Sequence, residues 1–291
     1  MADLDLGVVF RPQLPPERVS ALARTVEDAG VAELWFWEDC FLAGGIASAS
    51  VALASTGSVR VGVGVLPVPL RNVALAAMEV AAICRMFPGR FLPGFGHGVL
   101  DWMGQVGARA ESPMTLLREY LGAVRALLDG QQVSAEGRYV RLDGVRLDWP
   151  PLVAPALYAA AVGPRTLALT GELADATILT GSTSVPQVRQ ARTIVDQARR
   201  AANRPGRHRL TVYLPAATGP DAADRLAAER DSGLDPALEL GVAGGPAAIA
   251  DAVHRYAEAG ADAVILQPTA DEPDPEGFVR MIAEQVQPLV G

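Results

Sequence analysis

Short apolar runs alternate with amphipathic stretches along the whole chain, and this rhythm limits the possible folds more than any single motif. Runs of strand length and composition lie at residues 4–10, 32–37, 59–66, 91–96, 157–162, 176–180, 210–214 and 263–266. Helical patterns fit residues 15–29, 45–55, 73–87, 114–128, 164–173, 186–202, 246–259 and 275–289. Pro15 and Gly30 mark the start and stop of the first of these. Parallel strands need a crossover of helix length, so regular strand–helix alternation predicts βαβ units and a parallel sheet. Eight strands predict closure into a (β/α)8 TIM barrel, with residues 1–291 as one domain. An open, doubly wound sheet is the alternative. With 291 residues, half of them hydrophobic, the chain can bury a core of that size. A barrel of this kind carries its active site at the carboxyl ends of its strands.

Two stretches break the rhythm. Residues 131–155 contain GRYVRL and GVRLDW, whose partial alternation predicts a short hairpin. Residues 218–244 are rich in Ala, Asp and Gly and read as a helix with loops. Both are expected as insertions on the barrel rim.

Charge and cysteine usage narrow the function classes. The net charge is −8 and arginine is spread along the chain, so no basic stripe offers itself to nucleic acid or an anionic membrane. The first apolar run is short and follows an acidic start, unlike a signal peptide or a membrane span. Cys40 and Cys84 are the two cysteines, and the three histidines (His97, His208, His254) show no metal-ligand spacing. These features predict a cytoplasmic chain without a disulfide framework or a metal site.

Several residues near strand ends have chemistry. Val162, Gly163, Pro164 and Arg165 follow an apolar run and open a helix, where free N–H groups and the helix dipole attract a phosphate. The bland alternative is an ordinary strand-to-helix turn, with proline tolerated at the first helical position. Thr180 and Gly181 end the next strand and can add a hydroxyl and an N–H. Gly94, Gly96 and Gly98 alternate at the end of the fourth run, which either admits a flat ring or serves packing. His97 lies between two of them, as a polar contact or acid or as a structural residue. Glu38 and Asp39 close the second run, as an acid or base or as caps of the next loop. Trp35, Trp37, Phe41 and Trp102 are candidates for an apolar wall at the mouth, or for core filling.

Five segments together resemble one family. GRFLPGFGHG (89–98), AGVAELWFWED (29–39), RVGVGVLPVPLRN (60–72), AAAVGPRTLALTGELADATILTG (159–181) and AEAGADAVIL (257–266) follow the order seen in the luciferase-like monooxygenase superfamily. That family includes bacterial luciferase, alkanesulfonate monooxygenases and F420-dependent reductases. The resemblance implies a bacterial-luciferase-like barrel, commonly a homodimer, holding a flavin or deazaflavin. It implies phosphate binding at Gly163-Pro164-Arg165 and Thr180-Gly181. It also implies a bulge with a non-proline cis peptide among Gly64, Val65 and Leu66, behind the middle ring. The 159–181 segment is more similar to the reductase branch, so the expectation is hydride transfer between coenzyme F420 and a small organic substrate. The alternatives are an FMN-dependent monooxygenase fed by a partner flavin reductase, and a non-catalytic cofactor-binding or partner subunit. Several F420-dependent members carry a histidine where this chain has Cys40, and a glutamate where it has Val99. With those acids missing, the catalytic candidates are Asp39, Cys40, His97 and Asp101.

Overall fold

The computed structural model describes residues 4–229 and 240–291. Strands β1 (Asp5–Val9), β2 (Glu33–Phe36), β3 (Arg60–Pro67) and β4 (Phe91–Gly96) are joined by helices α1 (Val19–Asp28), α2 (Gly45–Ser55) and α3 (Val73–Met86). Two helices follow, α4 (Leu100–Gln105) and α5 (Pro113–Leu128), and then a hairpin of β5 (Val133–Glu136) and β6 (Arg141–Val145). The second half runs β7 (Tyr158–Ala160), α6 (Pro164–Leu173), β8 (Ala176–Leu179), α7 (Val185–Ala201) and β9 (Arg209–Ala217). It continues with α8 (Ala222–Ala228), β10 (Val242–Ala243), α9 (Pro246–Glu258), β11 (Ala263–Pro268) and α10 (Pro275–Met281). A π-helical turn, Ile282–Val286, leads into α11 (Gln287–Val290).

Eight strands pair in parallel in the order β9-β11-β1-β2-β3-β4-β7-β8, and β8 pairs with β9 to close the ring. The closed barrel is therefore the one expected, and the open sheet is excluded. The hairpin in 131–155 and a helix at the start of 218–244 are also present; residues 230–239 of that insertion lie outside the described residues. Helix α4 was not anticipated, and the helix expected from residue 15 begins instead with a 3-10 turn at Pro16–Arg18. Pro15 there is extended at φ −55° and ψ 132°, so regular α geometry starts only at Val19. Helix α1 then buries Val19, Leu22, Ala23 and Val26 against the sheet.

Inside the barrel, alternate residues of each strand stack in layers. The bottom layer is ionic: Arg60 and Arg209 each reach both Asp5 and the fully buried Glu33 at 2.7–3.0 Å. Gly7, beside Glu33 in register, leaves room for Ile265 Cδ1 and the Glu33 Cβ, which a Cβ there would meet at 2.8 and 3.0 Å. Above it, Trp35 packs edge-on to Tyr158 and Tyr213 and donates its indole N–H to Glu33 at 2.9 Å. Gly62 faces that indole so closely that a Cβ would collide with it.

Outside the barrel wall, His208 is fully buried. Its Nε2 lies 2.8 Å from Thr177 Oγ1, which lies 2.7 Å from Thr170 Oγ1, which donates to the Leu167 carbonyl. That chain of donors runs in one direction and fixes the Nε2–H tautomer. Nδ1 is left buried without a partner, so a proton there would be unsatisfied. Burial, with Arg192 and Arg199 nearby, pushes the imidazole down to about 3. Between the ordinary value of 6.5 and about 3, only the unfolded chain takes up this proton, so stability is lost as pH falls through that window. The slope is at most about 1.4 kcal/mol per pH unit. Urea midpoints measured from pH 7.5 to 5 should fall more steeply for the wild type than for His208→Gln. Equal slopes would remove His208 from the acid response.

Candidate active site

A cavity of about 600 Å³ opens at the carboxyl ends of the barrel strands. Its floor is apolar, built by Val65, Ala160 and Ile178, with Tyr213 and Trp37 beside them. Gly64 lies between Tyr213 and Ile178, where any side chain would strike the Tyr213 hydroxyl. That hydroxyl donates to the Gly64 carbonyl at 3.3 Å. The Gly64–Val65 peptide is cis, at the position expected, and the β3–β4 register shifts between Val63 and Leu66. The Cys40–Phe41 peptide is cis as well.

The polar groups sit around this floor. Trp37 Nε1 donates to Asp39 Oδ2 at 2.9 Å, and the Arg11 guanidinium lies 5.5 Å from the centre of the Trp37 ring. Burial pushes the Asp39 carboxyl up, against the opposing pull of Trp37 and Arg11. His97 is half-buried; burial pushes its imidazole down, partly offset by the Pro113 backbone, and its Nδ1 has no hydrogen-bond partner. Glu38 is fully committed. It receives both Arg71 guanidinium nitrogens at 2.5 and 2.6 Å and the Gly45 amide at 2.7 Å, so it fixes the start of α2. Glu229 pairs with Arg11 at 3.0 Å and accepts from the Ala270 amide at 2.6 Å, tying the α8 insertion to the barrel.

At the far edge, Gly163 caps α6 in extended conformation and Pro164 occupies its first turn. Val162, Gly163, Thr166, Thr180 and Gly181 line this edge. Helix amides, the α6 dipole and two hydroxyls thus converge where an anionic group can be held. The arrangement offers a flat apolar slot, a helix N-terminus at one side and a half-buried carboxyl at the other.

Of the residues nominated from sequence, Asp39, Gly64, Val65, His97, Gly98, Val162, Gly163, Thr180 and Gly181 line the cavity together. Six do not. Leu66 points outward into the helix-packed core, because strand alternation puts it opposite Val65. Gly96 is buried beneath Val65, whose side chain a Cβ would meet at 2.7 Å. Pro164 and Arg165 face solvent on α6. Asp101, on α4, has a side chain 92% exposed, with only Arg109 at 3.8 Å. Cys40 lies outside the lining, and its thiol is pushed up by burial and the nearby carboxylates. Trp35 lies deeper in the barrel, and Phe41 faces solvent. Sequence reading missed Arg11, Tyr213, Gln267, Ala160 and Ile178. Continuing the inward alternation past each strand end (Val9 to Arg11, Ile265 to Gln267) would have found the first and third.

The model of a family described as luciferase-like monooxygenase matches residues 6–234. The 5,10-methylenetetrahydromethanopterin reductase of Methanolobus tindarius is 26% identical over 243 residues, covering 84% of this chain and 73% of that protein. The F420-dependent hydroxymycolic acid dehydrogenase of Mycobacterium tuberculosis is 29% identical over 191 residues, covering 60% of this chain and 52% of that protein. This chain thus spans about half the length of the second relative. Among solved structures, an F420-dependent secondary alcohol dehydrogenase in complex with an F420–acetone adduct superposes with a TM-score of 0.88. It is 19% identical and covers 99% of both chains, which shows a shared fold.

Proposed function

The chain belongs to the luciferase-like monooxygenase family, and from that premise we propose that it is an F420-dependent oxidoreductase that moves a hydride between the coenzyme and a small organic substrate. The observation that carries this reading is the cavity itself. A flat apolar floor at Gly64, Val65 and Ile178 ends in the amide start of α6, which suits a ring attached to a phosphate. The F420-dependent relative from M. tuberculosis supports the choice of deazaflavin.

The residues present fit that group. The unpartnered His97 Nδ1 is a buried polar atom that a ligand would satisfy, and a side chain at Gly64 would fill the slot. Gly163, Thr180 and Gly181 would hold the phosphate; Val65, Ala160 and Ile178 would flank the ring. Bound F420 supplies or accepts the hydride. Asp39 holds the proton, since its two neighbouring carboxylates, Glu38 and Glu229, are already spent on Arg71 and Arg11. Trp37 orients Asp39 through its indole N–H and, with Tyr213, keeps water from the floor.

Titrating the purified chain with F420 and with FMN, followed by fluorescence, tests the reading. Saturable F420 binding is expected. Tight FMN binding with none for F420 would transfer the assignment to the second reading, an FMN-dependent monooxygenase supplied by a flavin reductase, which the family description favours. Hydride transfer to or from F420 would rule out a non-catalytic subunit.

The assembly we infer is a homodimer. Val51 on α2 and Leu75 and Met78 on α3 are each about half exposed, an apolar face that a second copy would cover. Light scattering at twice the mass of one chain is the expected result; a monomer would refute it. The free thiols of Cys40 and Cys84 suit the cytoplasm.

A further inference from the structure

A second cavity, of about 410 Å³, lies beside the first between the β3–α3 connection, the α4–α5 loop and the hairpin. Three arginines line it, Arg71, Arg109 and Arg141, and no carboxylate does. In a chain with net charge −8 this is a local reversal of sign. The three arginines are not equally free. Arg71 is held by Glu38, which lines the first cavity, and by Glu79. Arg109 has only the exposed Asp101 at 3.8 Å, and Arg141 has no acidic partner within 4 Å among the described residues. Such guanidinium groups at a concave surface bind oxyanions in a forked geometry.

A second feature points into the same space. Tyr120, on α5, is 2% exposed, packs at a tilt against Phe95 and lines the cavity, and its hydroxyl has no hydrogen-bond partner among the described residues. That hydroxyl is free to bond a ligand in the cavity that its residue lines. Tyr139, on the opposite wall, accepts the Ser112 amide at 2.7 Å, which leaves its own proton to donate. The first residues of α3, a helix of 14 residues, also line the cavity and add the positive end of a dipole.

We propose that this second cavity binds a small molecule bearing a phosphate or carboxylate, gripped by Arg109 and Arg141 at the mouth and by the Tyr120 hydroxyl at the back. Val68, Leu116 and Val140 give the remainder of the ligand an apolar wall. The site does not depend on which cofactor the first cavity takes.

Calorimetric titration of the intact protein with inorganic phosphate and with citrate tests this, the two probes separating phosphate from carboxylate recognition. Saturable binding of at least one is expected. Phosphate can also seat at the start of α6, so the same titration is run on Arg109→Ala/Arg141→Ala and on Thr180→Val, a residue that lines the α6 edge. Affinity should fall at least about tenfold in the double variant and stay within about twofold in Thr180→Val. Tyr120→Phe, which keeps the ring packing, should weaken binding about threefold or more and carries the test if the double variant does not fold. No saturable binding to the wild type overturns the proposal. So does unchanged affinity in the double variant and in Tyr120→Phe, or a loss confined to Thr180→Val.

Discussion

Glu33→Ala should cost about 3–5 kcal/mol of stability, the penalty for removing one member of a buried ionic set. Glu33 is fully buried at the foot of the barrel, with Arg60 at 3.0 Å and Arg209 at 2.8 Å. Alanine leaves both guanidinium groups with Asp5 alone, one carboxylate for two cations. It also orphans the Trp35 indole N–H, which donates to Glu33 at 2.9 Å, and an unsatisfied buried donor adds about 1–3 kcal/mol of its own. Glu33→Gln is the informative control. It keeps the shape and an oxygen for Trp35 while removing the charge. Burial already pushes the Glu33 carboxyl up, against the pull of Arg209 and Arg60. Its charge is thus costly to keep, and glutamine should lose less than alanine. Thermal unfolding is expected to show a drop of roughly 10 °C for alanine in a chain of this length, and a smaller one for glutamine. Equal losses would mean that charge, rather than satisfaction of the two arginines and Trp35, holds the layer together.

That layer also shows what could be read from sequence. The barrel was legible because buried parallel strands are continuous apolar runs, and the helices between them carry period-3.6 patterns with proline and glycine at their ends. The helix start at Gly163 was legible because it is a local feature. The ionic foot was not: Asp5, Glu33, Arg60 and Arg209 lie on four strands, and only barrel closure brings them together. The same reason hid Tyr213, which reaches Gly64 across 149 positions of sequence. Asp101 was attractive by proximity to the glycines of β4, but the unanticipated helix α4 carries it out to solvent. Cys40 and Val99, where relatives place a histidine and a glutamate, left the proton donor open on sequence alone. Burial and hydrogen bonding distinguish the remaining candidates.

On the proposal that Asp39 is the proton donor, Asp39→Asn should lower kcat by about 10²–10⁴-fold, the usual worth of a positioned acid–base group. The cavity holds three carboxylates. Glu38 receives two guanidinium nitrogens and an amide, and Glu229 receives Arg11 and an amide, so both are engaged in charge-assisted bonds. Asp39 has a single neutral donor, the Trp37 indole, and burial pushes it up from the ordinary value of 3.8. Asparagine keeps the size and the Trp37 contact but cannot exchange a proton. F420 affinity should therefore stay within about threefold while turnover collapses, as for a group acting only in the transition state. The sign of the pH response follows from the direction of the shift. Reduction of a carbonyl needs the protonated acid and weakens as pH rises through the Asp39 value; oxidation of an alcohol needs the carboxylate and strengthens over the same range. Both limbs should vanish in Asp39→Asn and return, displaced, in Asp39→Glu. A variant with wild-type turnover and an unchanged pH profile would move the proton to His97, whose imidazole burial keeps neutral, and Asp39 would then be no more than the partner that orients Trp37.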